Sequence, residues 1–274
     1  MPENKKDSII HWLGIGAKVA GNVASKVIGI DSSTIEGTIA GGALGALVTE
    51  TLQNIGKDMR NRYLSKKEET RIGTSFFYLL EKFKENIDNG QKVRDDNFFD
   101  KQEGDFSRNE EILEGLLLIA QKSYEEKKVR FISYFYANIL FSKQINTYHA
   151  NYYLKMAEGM TYRQFCLLAI YFEKEKYGLQ VDIQPPDSAI DHYDIRAEML
   201  SLNDKAHLIV DLGVTGGNVK SQPFSPVIVV ITEYGKLFYE LFNLSQIPFE
   251  DKLEVAEQII QPEWFEKLKR EQHL

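Results

Sequence analysis

Proline is missing from residues 3–184: after Pro2 come Pro185, Pro186, Pro223, Pro226, Pro248 and Pro262. Proline has no amide N–H and its ring clashes with the preceding helical turn, so it breaks helix interiors. A stretch this long without it is what a helical body requires. The proline-bearing remainder is expected to be mixed.

Capping boxes place the helix starts. In such a box a Ser or Thr side chain accepts from the amide three residues on, and a Glu or Gln there reaches back. Ser33 with Glu36, Ser65 with Glu68, Ser107 with Glu110 and Thr161 with Gln164 fit. They predict helices near 8–30, 34–63, 66–88, 108–125, 128–142, 147–158 and 162–176. Asn89-Gly90 ends one helix, and the polar residues 91–106 read as a long loop. Ile112, Leu113, Leu116, Leu117 and Ala120 recur at helical spacing.

Beyond Tyr177-Gly178 the pattern changes. A helix near 194–202, an apolar run Leu208–Leu212, a Gly-rich turn Gly213–Gly217 and a second run Val227–Ile231 follow. Thr232 then caps a helix to about 243, and Pro248 opens another over 248–260. The expected fold class is therefore mainly α. It comprises an N-terminal helical hairpin (1–64), a multi-helix body (65–178) and a small α+β winged-helix-like unit (179–274).

The first 56 residues hold nine of the 19 glycines. Gly37, Gly41 and Gly45 stand four apart, and Ala17, Gly21, Ser25 and Gly29 repeat the device upstream. Spacing by four lines small residues along one helix face. Each interior glycine costs up to about 1 kcal/mol relative to alanine, which close backbone packing must offset. Small-xxx-small packing is favoured inside bilayers. The uncharged stretch Gly37–Thr49 is short for a hydrocarbon core, however, and the longer segments carry Lys18, Lys26 and Glu36. Two readings stand side by side: a tightly packed hairpin or oligomer interface, and a membrane-associating element. Gly21, Gly29, Gly37, Gly41 and Gly45 are the interface residues in both.

The chain has 274 residues, 43% hydrophobic and 27% charged, which excludes disordered, collagenous and disulfide-scaffold classes. Its pI near 5.4 argues against nucleic acid as the main partner. Residues 1–75 carry ten basic and eight acidic side chains, while the remainder carries 23 and 32. The N-terminal end is thus the one suited to an anionic membrane. A single cysteine, Cys166, fits a reducing compartment and reads as a buried small hydrophobe. The expected location is cytoplasmic, with inner-membrane association the consequence of the second hairpin reading.

No catalytic motif emerges, and no metal or cofactor is expected. Gly213 to Ser221 fails as a phosphate loop, since Asn218 and Val219 separate the last glycine from Lys220. Asp182, Asp187, Asp191, His192 and Asp194 lack metal-ligand spacing, and Asp95, Asp96, Asp100, Glu103 and Asp105 fail the calcium-loop pattern. His11, His149, His192, His207 and His273 accompany no nucleophile motif. The aromatics of 131–177, among them Phe131, Tyr134, Phe135, Tyr148, Tyr152, Tyr153, Phe165 and Phe172, recur at helical spacing and read as core. Residues 194–203 offer one base, Arg196, against Asp194 and Glu198, so a DNA-reading helix is disfavoured. The expected partner is a second copy or another protein.

Four stretches carry a family resemblance: Ser65-Lys-Lys-Glu-Glu-Thr-Arg, Lys128-Val-Arg-Phe with Ala137-Asn-Ile-Leu, Ala157-Glu-Gly-Met-Thr161-Tyr-Arg-Gln164, and Ile231-Thr-Glu-Tyr-Gly235-Lys-Leu-Phe. They resemble bacterial helical proteins with a Gly-rich N-terminal segment, a helical body and a winged-helix-like end. Some of those occur in phage-defence or toxin-like settings. The resemblance implies a defence effector and carries over no catalytic residue.

Overall fold

Serine and threonine caps set the helix starts of the computed structural model, which describes residues 55, 64–100, 107–179, 189–211, 229–260 and 262–271. Ser65 opens α1 (Lys66–Asp88), Ser107 opens α2 (Arg108–Lys122) and Thr161 opens α5 (Tyr162–Phe172), each through a complete capping box. The Ser33 box and the hairpin over 1–64, apart from Ile55 and Leu64, lie outside the described residues. Between the capped helices run α3 (Glu126–Ile139) and α4 (Thr147–Gly159). The protein is mainly helical, and among the described residues its one sheet has two strands. No described helix is long and apolar enough to cross a membrane.

The chain divides after Gly159 into two compact units. In the first, α3 is the central helix. Ten of its fourteen residues are buried, as in a helix enclosed by others, Lys128 and Ser133 among them. Against it α1 lays a stripe of Ile72, Phe76, Leu79 and Phe83, spaced by four, three and four. Burying each such side chain contributes about 1.5–3 kcal/mol. Polar pairs interrupt this seam. Ser133 donates to the Val129 carbonyl, so in the 2.8 Å Ser75–Ser133 contact Ser75 must be the donor. Asn86 Nδ2 donates to Asn138 Oδ1 at 2.8 Å. A slip would cost the buried Ser75 and Asn86 these partners, so the pairs help to fix the register of α1 on α3.

Two buried cations bind helix ends in this unit. Lys128 Nζ donates to the Glu158 carbonyl in the last turn of α4, at 3.2 Å, where the helix dipole favours a positive charge. Burial holds its ammonium below the ordinary lysine range, against the pull of Glu125 and Glu158. The segment after α1, expected to be a plain polar loop, is anchored by Arg94. Its guanidinium donates to Asp96 and to the carbonyls of Ile139 and Ile145, and stacks 4.2 Å from the Phe98 ring. A 3₁₀ turn, Asn97–Phe99, buries both phenylalanines beneath it. Residues 101–106 lie outside the description.

In the second unit α5 is central, with eight of eleven residues buried. The helix α6 (Ala189–Asp204) leads to β1 (Ile209–Asp211), which pairs antiparallel with β2 (Val229–Ile231). Ile209 faces Ile231 and Val210 faces Val230 in the ladder. Next come α7 (Glu233–Leu241), a 3₁₀ turn at Leu244–Gln246, α8 (Phe249–Ala256) and α9 (Pro262–Glu271). The sequence reading did not foresee α9; Pro262 is its first residue, where a missing N–H costs nothing. Phe165 of α5 sits against Phe238 and Phe242, with centroids 5.5 and 5.8 Å away. Charge separates with the units: the first holds 22 basic and 22 acidic side chains, the second 11 and 18. The whole net charge of −7 therefore belongs to the C-terminal unit.

Candidate functional site

The helix α5 was expected to run to 176 but ends at Phe172. The chain then winds through a turn that closes with Leu179 N–H on the Lys174 carbonyl and with Gly178 at φ 65°. This early stop carries Glu173 off the helix and aims its carboxylate at two neighbouring helices. Lys252 Nζ of α8 lies 2.9 Å from Oε1 and 3.1 Å from Oε2. The Tyr239 hydroxyl of α7 donates to Oε1 at 3.0 Å. Lys176 Nζ adds a longer contact, 3.7 Å, to Oε2.

Lys252 is almost completely buried, at 3% exposure, so its charge must be answered where it lies. Glu173 supplies the answer, and through it one carboxylate joins three helices. Burial raises the Tyr239 phenol well above its ordinary range, and the neighbouring Glu173 charge adds to it. Burial does the same to Tyr177, with Glu173 next in weight. The Tyr177 hydroxyl is buried and makes no hydrogen bond among the described residues. Both phenols are thus held neutral, and the Glu173 oxygens are taken up by Lys252 and Tyr239. The group is built to join and position elements.

Beside it opens a cleft of about 510 Å³, lined by residues 171–176 of the α5 end and by Val230 and Ile231 of β2. Phe172 stacks on Tyr239 with centroids 3.8 Å apart and rings nearly parallel. Phe172 and Val210 keep 38% and 40% of their surface exposed, so an apolar face borders the cleft. Its rim alternates in charge along Glu173, Lys174, Glu175 and Lys176. Such a surface suits contact with another chain better than capture of a strongly charged small molecule.

The residues singled out from sequence are dispersed. Gly21, Gly29, Gly37, Gly41 and Gly45 lie outside the described residues, as do His11, His273, Asp182, Asp187 and the loop 213–221. His149 and His207 are exposed, in different units. Asp194 is exposed on α6, whose residue 192 is a histidine described in its backbone only. Asp95 pairs with Lys143, and Asp96 with Arg94. Among the described residues no group of three or more His, Cys, Asp or Glu is placed to hold a metal. Cys166 is buried in α5, as expected of a small hydrophobe. Most of the aromatic run forms core, with Phe131, Tyr134, Phe135, Tyr136, Tyr153, Phe165 and Tyr171 buried, but Tyr148, Tyr152 and Phe172 are exposed against that expectation.

Sequence reasoning missed the Glu173–Lys252–Tyr239 group. One signal was available. Lys252 falls three residues after Phe249 and four before Ala256, in line with Ile259, so it interrupts an apolar helical stripe. A lysine in that position must either snorkel outward or find a carboxylate. Comparison with protein-family models, with curated proteins and with solved structures found no match for the chain.

Proposed function

We propose that the chain is a non-enzymatic bacterial effector, of a phage-defence or toxin-like kind. It acts by self-association and by associating with, or permeabilising, a membrane through residues 8–60. The observation that carries the proposal is the spacing of Gly37, Gly41 and Gly45, with Gly21 and Gly29 on the preceding segment. Three interior glycines in register cost up to about 3 kcal/mol unless helices pack closely enough to return it. The near-neutral first 75 residues (ten basic, eight acidic) remove the repulsion an acidic segment would meet at an anionic surface. The helical body and the C-terminal unit then hold the segment inactive or receive a partner. The protein resides in the cytoplasm and reaches the inner membrane through the hairpin.

Replacing Gly41 and Gly45 together by leucine tests this. Oligomer size, dye leakage from anionic vesicles and toxicity on expression are all expected to fall. Wild-type values in all three would remove the glycine face from the function.

A second proposal is a soluble adaptor or regulator that binds a protein through a winged-helix-like C-terminal unit. The order α6, β1, β2, α7 favours it, with a long connection where a wing would be. The unit's 18 acidic side chains against 11 basic favour a protein partner over DNA. Cell fractionation separates the proposals: a wholly cytosolic distribution under activating conditions selects the adaptor.

A further inference from the structure

We draw no further inference here: the strongest candidate, the cleft between the end of α5 and strand β2 with its bordering apolar face of Phe172 and Val210, has a rim of alternating charge that selects no partner chemistry, and nothing in the structure shows what covers it.

Discussion

Gly235 is the third residue of α7, and it lies directly on the backbone that enters β1. A methyl group there would overlap the Leu208 carbonyl oxygen and come within 2.6 Å of Ile231 Cγ1. A backbone oxygen cannot rotate away, so the start of α7 would have to lift. It is held down at the same point by Thr232, whose hydroxyl donates to the His207 carbonyl at 2.7 Å and accepts from the Gly235 amide at 3.0 Å. Gly235→Ala is therefore expected to destabilise by about 1–3 kcal/mol, the usual cost of overpacking. A lower urea midpoint at constant slope would record it. Gly115, inside α2, is the control, because its added methyl would meet only Leu154 Cδ1 at 3.7 Å. Gly115→Ala is expected to stabilise by up to about 1 kcal/mol. Equal effects at the two positions would refute the close approach at Gly235.

At the scale of elements, helix ends and helix junctions carry separable contributions. The α1 cap is pH-sensitive. Hydrogen bonds with the Ser65 side chain, then with Gln121, lower the Glu68 carboxyl from an ordinary 4.5 to about 2. A carboxylate favoured by folding stabilises wherever the unfolded carboxyl is ionised, and loses that contribution as acid protonates the folded form. The Glu68 contribution is therefore complete above 4.5 and disappears as pH falls towards 2. The stability gap between wild type and Glu68→Gln should close across that interval; a gap independent of pH would contradict the assignment. The Glu173–Lys252 junction behaves differently. Glu173→Gln strands a buried ammonium, and breaking such a pair from one side costs about 3–5 kcal/mol. Adding Lys252→Met removes the stranded charge and should recover most of the loss. A double-mutant cycle by chemical denaturation measures the coupling, and additive losses would mean that the two groups do not interact.

For the whole molecule the governing fact is the uneven charge. A C-terminal unit with 18 acids and 11 bases repels a phosphate backbone at long range. The helix–strand–strand–helix order alone would invite a DNA assignment, and the charge opposes it. The full chain is expected to show no retention of duplex DNA in filter binding at low salt, where electrostatic attraction would be strongest. Salt-sensitive retention would overturn that expectation. The first unit is balanced, with 22 charges of each sign, so the net charge of the chain is set by its C-terminal unit.

Much of the local structure was legible because its causes are local. The boxes at Ser65, Ser107 and Thr161 form as their spacing predicts, and α1 covers the residues expected of it. The two apolar runs became paired strands, described over 209–211 and 229–231. A cap satisfies amides within one turn, and alternation or helical spacing shows which face is apolar, so neither needs a distant partner. Distance in sequence hid the rest. Arg94 is buried because carbonyls 45 and 51 residues away converge on it. Glu173 leaves its helix to meet a lysine 79 residues on.

By itself, then, the sequence determined the helical character, the caps, the apolar faces, the balance of charge and the glycine spacing on which the proposed function rests. Only the tertiary structure decided which polar side chains are buried, which glycine a neighbouring backbone crowds, and where α5 stops. The physical reason is desolvation. Whether Lys252 or Arg94 is a solvated surface charge or a buried anchor depends on what packs around it, and folding alone brings those groups together.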